Sequence, residues 1–552
     1  MHTERVSINL SRFFGPPILT LQLKVPRWND LDDSSFFAAA HGGTITSVLP
    51  RLEALSLPGQ LVPVGFAAAA VRTGLSNNLF QHLPSLRHLT LSLVNPDRIG
   101  WRALSLLPNL ENLTLMDVGY LIEPDQMPVF SQQSNLVSLM FVNVRINPND
   151  AWPVVPSLGW FPTALFAPLR ALRRLSVDIG AVSVQNFSFL KLLRYLDMNG
   201  SMDSSIISPV SDALMKMLPS LYALRFVSHY NNPHVALSDA GFSFFERLVR
   251  LEIPFFEGNL TSDALEPLQS SLRYLDVSHC SFVSDEWLRH LPGVTHLKIN
   301  GCNGENLTDQ GFSFLRAIRV LEMRDCGRLQ ITDGMLRSLG AANIQRLDIT
   351  ACVQLNGDAL RFLEGIVHLS LESCDQVTDN HLAQLPLDNL EVLDMRLVSE
   401  VTDASLFHLS TRARRLRLLF AGCGVESYGD GEDPYYLSHN LGDPSAVHPP
   451  HPVHPRGQFS LVAWAAVANT VGRVFEHYVD NRRPPEPDDG PLPYPECPSG
   501  VRVFSAADAA LDGAARVLRD RFLWDMDGVR AFFSFPDVYA HENAFFHPSD
   551  YM

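Results

Sequence analysis

One six-residue pattern, apolar-x-x-Leu-x-apolar, recurs along most of the chain. It is carried by Leu52, Leu55 and Leu57, by Leu86, Leu89 and Leu91, and by Leu110, Leu113 and Leu115. Further copies are Leu172-Leu175-Val177, Leu193-Leu196-Met198, Leu221-Leu224-Phe226, Leu248-Leu251-Ile253, Leu272-Leu275-Val277 and Val294-Leu297-Ile299. The run continues through Ile318-Leu321-Met323, Ile344-Leu347-Ile349, Ile366-Leu369-Leu371 and Leu390-Leu393-Met395, and ends on a degenerate copy at Leu418 and Phe420. Apolar residues at every second place predict a short strand with one buried face. From Leu196 onward the central leucines lie 28, 27, 24, 22, 24, 26, 22, 24 and 25 residues apart.

A second signal follows each strand. Ser-Asp or Thr-Asp opens a helical pattern at Ser211-Asp212, Ser238-Asp239, Ser262-Asp263, Ser284-Asp285, Thr308-Asp309, Thr332-Asp333, Thr378-Asp379 and Thr402-Asp403. A ninth copy, Gly357-Asp358, lacks the hydroxyl. The hydroxyl accepts from an unpaired N–H of the first helical turn, and the Asp complements the positive end of the helix dipole. Apolar residues then fall three apart, as in Leu336 and Leu339 or Leu406 and Leu409, and face the sheet. A strand plus a capped helix at this period is a leucine-rich repeat. One such unit cannot bury its own apolar face, so the fold expected is an α/β solenoid, a horseshoe with parallel strands on its concave face and helices on its convex face. The N-terminal half is less regular, with spacings of 34, 24, 26, 36 and 21 from Leu55 to Leu196. Its widest gap holds Trp152 and Trp160 in a Pro-rich stretch from Ile146 to Pro168, which is either a binding loop or an irregular repeat.

Six of the seven cysteines, Cys280, Cys302, Cys326, Cys352, Cys374 and Cys423, fall five residues after a central leucine as counted above; Val398 takes that place in the Leu393 repeat. A small, weakly polar side chain suits a buried turn. Zinc thiolates come in pairs two to four residues apart, and this spacing is absent, so no metal or other cofactor is expected. The segments Leu347-Asp348-Ile349-Thr350-Ala351-Cys352 and Val377-Thr378-Asp379, with Leu382 beyond, resemble the cysteine-containing leucine-rich repeats. That subclass is familiar from F-box proteins, which recruit substrates to cullin-based ubiquitin ligases, and from related mitotic-exit antagonists. The resemblance runs from about residue 205 to 424 and, more weakly, back to about 49. It implies a substrate-recognition subunit with a cullin adaptor as partner. An F-box opens on a Leu-Pro motif followed by helical periodicity, and residues 1–48, with Gly15-Pro16-Pro17 and a strand at Leu19–Leu23, do not thread one.

In such an array the side chains between the buried leucines line the concave face. The central column reads Asp197, Arg225, Glu252, Asp276, Lys298, Glu322, Asp348, Ser370 and Asp394. The column after it holds Ser278, Asn300, Arg324, Thr350, Glu372 and Arg396, and the one before it Tyr195, Tyr274, His296, Arg346 and His368. Acids beside Tyr and Arg form a candidate contact surface for a basic peptide or domain. The competing reading is that Asp is common there only because the position is solvated.

Charge narrows the partner. With 59 acidic against 43 basic side chains the formal net charge is −16, which disfavours nucleic acid and anionic membrane surfaces. Arg5 and Arg12 precede an apolar stretch broken by Gly15, Pro16 and Pro17, unlike a signal peptide, and the most apolar later stretch, Leu461–Ala468, is too short to span a bilayer. Seven cysteines in 552 residues are not a disulfide scaffold. An intracellular, cytoplasmic or nuclear, protein is expected.

The expected organisation is an N-terminal cap segment 1–48, an array 49–424, a Gly/Pro/His-rich linker 425–457 and a C-terminal helical cap or small module 458–552. Leu461, Trp464, Ala468, Val471, Phe475 and Tyr478 mark one face of an amphipathic helix, a Pro-rich stretch spans 483–498, and a second helix starts at Ser505. Two lookalikes carry little. His448, His451 and His454 align on a polyproline helix without a rigid metal site. Asp525-Met526-Asp527-Gly528 resembles the nucleophile motif of haloacid dehalogenase-like phosphatases but lacks the strand before it and the domain after it. The glycine-framed serine elbow is missing too. A non-enzymatic protein-binding scaffold is the leading expectation, an inhibitor or signalling scaffold outside the ubiquitin system the second, and a C-terminal phosphatase-like enzyme the remote third.

Overall fold

A computed structural model describes residues 20–22, 54–57, 77–92, 101–116, 133–142, 166–178, 182–199, 210–227 and most of 236–422, then 463, 466–467, 473–477 and 501–504. The chain divides into two units, Met1–Leu272 and Arg273–Met552.

In the first unit the described strands are β1 (Thr20–Gln22), β2 (Ala54–Leu57), β3 (His88–Ser92), β4 (Asn112–Met116), β5 (Ser138–Val142), β6 (Arg174–Asp178), β7 (Tyr195–Asn199), β8 (Ala223–Val227) and β9 (Arg250–Glu252). Each pairs in parallel with the next, and Leu21, Leu55, Leu89, Leu113, Leu139, Leu175, Leu196, Leu224 and Leu251 stand in register. Among the described residues the ladder thus includes Thr20–Gln22, ahead of the first repeat read from the pattern. The chain between strands turns through 3-10 helices, as at Asn77–His82 and Trp101–Leu106, or short α-helices, as at Asp212–Met217.

The second unit repeats the plan more regularly. Its strands are β10 (Tyr274–Asp276), β11 (His296–Lys298), β12 (Val320–Glu322), β13 (Arg346–Asp348), β14 (His368–Ser370), β15 (Val392–Arg396), β16 (Leu418–Gly422), β17 (Arg473–His477) and β18 (Val501–Phe504). Pairing is parallel from β10 to β17, and β18 returns antiparallel to β17. α-Helices run over Asp285–Arg289, Asp309–Phe312, Asp333–Ala341, Asp379–Gln384 and Asp403–Arg412. Leu275, Leu297, Leu321, Leu347, Leu369 and Leu393 are fully buried, as are helix residues such as Leu336, Leu339, Leu406 and Leu409. A fully buried Leu is worth about 1.5–3 kcal/mol, and no single repeat can bury one alone. The architecture is a leucine-rich-repeat solenoid.

Two devices tie each repeat to the next. At the helix entrances the Asp does more than face the dipole. Asp285 accepts the backbone N–H and hydroxyl of Thr308 at 2.8 and 2.6 Å, and Asp309 does the same for Thr332 at 2.7 and 2.5 Å. Asp212 to Ser238, Asp239 to Thr261 and Asp379 to Thr402 are built alike. At the strand exits, the residue before each cysteine takes a left-handed turn: His279, Gly301, Asp325, Ala351 and Ser373 have φ between 54° and 62°. The thiols then donate to carbonyls of the preceding repeat, Cys302 to Val277 at 3.3 Å, Cys326 to Ile299 at 3.2 Å, Cys352 to Met323 at 2.9 Å and Cys374 to Ile349 at 3.1 Å.

Four expectations are corrected. In β16 it is Leu419 that pairs with Leu393, and Ala421 with Met395, so Leu418 and Phe420 lie on the opposite face from the one expected. Every residue from Leu418 to Ala421 is apolar, which erases the alternation that fixes register. Cys423 then falls four residues after the central leucine, outside the cysteine position and outside the described residues. The cap of the 3-10 helix at Ser262–Ala264 is Thr261, one residue earlier than read. Asn356, not Gly357, stands where the other repeats place the Ser or Thr: its side chain accepts from the N–H of Asp358 at 2.9 Å, Gly357 sits at φ +92°, and the 3-10 helix Leu360–Phe362 has Ala359 at its N-cap. Finally, Phe475 lies in a strand rather than a helix. Helical residues Ala463, Ala466 and Val467 precede it, with Ala463 and Val467 buried, and the β-branched and aromatic run Arg473–His477 extends the sheet. The linker 425–457, the stretch 483–498, the helix at Ser505, His448, His451, His454, Asp525, Asp527 and most of 1–48 and 146–168 lie outside the described residues.

Candidate protein-binding face

The outward positions of the strands form columns because parallel neighbours in register bring equivalent side chains about 4.8 Å apart. At that spacing a charged residue meets the charged residue of the next repeat, and the columns become ladders of ion pairs.

In the first unit, Ser176 donates to Asp197 at 2.9 Å, and Arg225 lies 4.0 Å from Asp197 and 3.4 Å from Glu252. Arg250 closes on Glu252 from the same strand. The guanidinium of Arg174 covers the ring of Tyr195 at 4.7 Å, and Tyr195 packs against Tyr222 at 5.6 Å. Burial raises the Asp197 carboxyl above its ordinary value, against the pull of Arg225 and the Ser176 hydroxyl. Arg174, Ser176, Tyr222 and Arg250 were not among the residues singled out from sequence. Arg174 lies one repeat before Tyr195 in the same register column and Arg250 two repeats after it, so reading that column without gaps would have found both. Towards the N-terminus the central column turns neutral, with Ser56, Thr90, Thr114 and Met140.

In the second unit Tyr274 stacks on His296 with centroids 5.9 Å apart. Lys298 pairs with Glu322 at 3.2 Å, and Arg324 with Asp348 at 2.6 Å. The N–H of Ser278 donates to Asp276. Thr350 donates to Asp348 at 2.7 Å and meets the hydroxyl of Ser370. Arg396 bridges Asp394 and Glu372, both at 2.6 Å. Arg346 stands in register between Val320 and His368. Burial raises the Glu322 carboxyl, opposed by Lys298 and Arg324. Burial, then repulsion from Asp394, pushes Glu372 up to about 7, with Arg396 working against both.

The acids are therefore not a solvated column. Glu252, Glu322, Asp348 and Asp394 are buried, and Asp348 is 2% exposed. Their charge is answered by Arg225, Lys298, Arg324 and Arg396 within the face, so the column is not a bare anionic strip for a basic ligand. Each unit presents Arg side chains tied to acids of its own strand face, with the Tyr195–Tyr222 contact in the first and the Tyr274–His296 stack in the second.

Burial pushes the thiols of Cys302 and Cys374 up to about 12 and that of Cys326 to about 11, which favours the protonated, hydrogen-bond-donating form. No group of three or more metal-ligating side chains occurs among the described residues. Among those residues, no helix is long and apolar enough to cross a membrane.

No family model matches the chain, and no curated protein matches it. Solved structures do, among them the crystal structure of a TLR13–ssRNA13 complex, at 17% identity and a TM-score of 0.42. The alignment covers 69% of this chain and 59% of that one, so the chain spans less than two thirds of that protein's length. The fold assignment rests on the repeats described above rather than on this likeness.

Proposed function

We propose that the chain is a recognition scaffold that holds a protein partner against its strand face. The observation that carries this reading is the ladder of ion pairs from Lys298–Glu322, buried on both sides, through Arg324–Asp348, where only the acid is buried, to the partly buried Arg396–Glu372. A strand face needed only to be soluble would leave such charges hydrated. Locking them in mutual pairs holds Lys298, Arg324 and Arg396 in place beside Arg346 and the Tyr274–His296 stack, and pre-organised Tyr and Arg side chains are the residue types that anchor protein interfaces. The site needs no catalytic group, and the reading is non-enzymatic. Because the charges are balanced within the face, the partner it fits is one of mixed charge with aromatic anchors, in preference to a uniformly basic one.

Within that reading, a substrate-receptor role in a cullin-based ubiquitin ligase is favoured by the cysteine-containing repeats at Cys280 to Cys374, which resemble those of such receptors. The second reading is an inhibitor or signalling scaffold, favoured by residues 1–48, through which no F-box threads. Affinity purification of the tagged full-length chain tests both. Capture of one dominant partner that is lost in Arg346→Glu and kept in Phe407→Ala, a change on an exposed helix position, supports recognition by the strand face. Indifference of every captured protein to Arg346→Glu overturns it. A cullin adaptor among the captured proteins selects the receptor role, and its absence selects the scaffold.

A further inference from the structure

In the first unit, the residue that leads into each strand forms a column of its own along the edge of the sheet. Arg87 and Glu111 stand in it ahead of β3 and β4 and pair with each other, as suits opposite charges one strand apart. In the second unit Glu391 and Arg417 do the same ahead of β15 and β16, at 3.8 Å. Ahead of β6, β7 and β8 the pattern changes. Arg173 and Arg194 stand side by side: the N–H of Arg194 donates to the carbonyl of Arg173 at 2.8 Å, and the N–H of Tyr222 to that of Arg194 at 2.7 Å. Three residues earlier the same two repeats place Arg170 and Lys191 at a second equivalent position, each directly after a buried leucine, Leu169 or Leu190, of the same kind of turn. All four cations are exposed, and among the described residues none of their side chains has an ion-pair or hydrogen-bond partner. The acids Asp197 and Asp212 of this stretch are engaged elsewhere, the first buried on the strand face and the second holding Ser238. Beside the cations lie Leu192, 55% exposed, and Tyr222, 41% exposed.

Like charges one strand apart repel, so the Arg173–Arg194 neighbourhood costs the fold stability that an acid at position 194 would restore. Nor do the cations serve solubility, since in a chain of net charge −16 they lower the magnitude of that charge. We propose that this edge is a second docking surface, which takes an acidic segment of a partner protein carrying apolar or aromatic side chains. Guanidinium groups hold carboxylates through paired N–H donors, and Leu192 and Tyr222 offer the apolar contact that a bare polyanion cannot use. A nucleic acid or an anionic membrane would also meet the negative charge of the rest of the chain. A short peptide at one edge largely escapes it, because salt screens charges beyond about 10 Å. The surface shares no residue with the ion-pair ladder of the strand face, and the inference stands whatever docks there.

The full-length chain, titrated into a labelled pool of random peptides built from Asp, Glu, Leu and Tyr, is read by fluorescence anisotropy. Binding that weakens with salt is expected, with a loss of at least tenfold in Arg173→Glu/Arg194→Glu and of at least threefold in the milder Arg170→Gln/Lys191→Gln. Arg412→Glu/Arg414→Glu changes the net charge as much as the first variant at exposed positions of the second unit, and it should leave binding unchanged, as should Arg346→Glu on the strand face. Absence of binding by the wild type overturns the proposal. So does an equal loss in the Arg412 and Arg414 double variant, which would reduce the effect to net charge. Equal binding of a pool with Ser and Gly in place of Leu and Tyr removes the apolar contact and overturns it too. Tighter binding of a poly-uridine oligonucleotide or of phosphatidylserine vesicles through the same arginines would make the ligand a nucleic acid or a membrane instead. Urea unfolding gives an independent readout. Arg194→Glu should raise the midpoint, since it gives Arg173 the partner that Glu111 gives Arg87; a lowered midpoint would mean that these arginines serve the fold and not a ligand.

Discussion

The carboxylate of Asp309 accepts both the backbone N–H and the side-chain hydroxyl of Thr332, one repeat further on, at 2.7 and 2.5 Å. Thr332 in turn caps its own helix by accepting from the N–H of Gly334. One ionised side chain therefore fixes the cap that starts the next helix, and the helix layer is zipped from repeat to repeat.

Removing that link destabilises the array. Asp309→Ala leaves two donors of Thr332 without their charged acceptor, and hydrogen bonds to charged groups are worth ~1.5–3 kcal/mol. The expected outcome is a loss of that size in urea unfolding. Thr332→Val costs less, because the N–H link survives. The double variant should fall short of the sum, since both changes cut the same pair. Strict additivity would show that Asp309 acts only on its own helix dipole.

How much of this was visible in the sequence depends on how far apart the interacting residues lie. The buried leucines repeat locally, so the strands and their outward columns could be placed before any coordinates. The Ser/Thr-Asp pairs were equally plain, yet the role of the Asp was not, because its partner lies 22 to 26 residues away and nothing in a local cap points there. Local ambiguity hid the rest. In Leu355-Asn356-Gly357-Asp358 two residues compete for the place of the Ser or Thr, and the structure puts Asn356 there. The solvated reading that competes with a contact surface in the strand columns suits an isolated strand; the neighbour that buries each charge exists only once the repeats stack. Phe475 was absorbed into a helix by its spacing from Leu461, although Gly472 interrupts that pattern.

Two carboxylates should impose opposite pH dependences. Burial works to raise Asp379, but hydrogen bonds from Ser405 and Thr402 outweigh it and hold the group below its ordinary 3.8. Its stabilisation is complete above that value and is lost as pH falls through the folded one. Glu372 is raised from 4.5 to about 7, so the fold prefers it protonated, and stability present below 4.5 is lost as pH rises towards 7. Glu372→Gln should remove that decline and leave the chain more stable at pH 8 by on the order of 2 kcal/mol, with little change at pH 4. Thermal unfolding across pH 3 to 8 reads both effects; an unchanged slope between pH 4.5 and 7 in the variant would contradict the assignment to Glu372.

The repeat cysteines should behave as hydrogen-bonding hydrophobes. Cys302, Cys352 and Cys374 are buried and donate to carbonyls of the preceding repeat, and burial pushes Cys302 and Cys374 up to about 12. Thiolate, not thiol, is the alkylated and metal-binding form. Brief iodoacetamide treatment at pH 8 should therefore leave these three unmodified in peptide mass spectra, and full labelling should appear only in denaturant. Cys352→Ala should cost ~1–3 kcal/mol, from the carbonyl of Met323 left without its donor. Native labelling at Cys352 would mean that the turn opens.

Register in β16 makes the sharpest test, because two adjacent leucines exchange roles on a one-residue slip. Leu419 pairs with Leu393 and is fully buried in the layer between sheet and helices, whereas Leu418 pairs with Val392 and is half-buried on the strand face. Truncating a core leucine removes its transfer energy and leaves a cavity, at about 2–5 kcal/mol. A half-buried one loses only part of the transfer energy, and its surroundings relax into solvent. Leu419→Ala should therefore lower the unfolding midpoint well beyond Leu418→Ala. Met395 and Ala421 agree with this register, since both are buried one strand apart. A slip by one residue would put Leu418 and Phe420 in the core, reverse the order of the two alanine variants, and turn Ala421 outward. Measured side by side in one urea titration, the two variants decide which face of β16 carries the solenoid core and which carries Phe420.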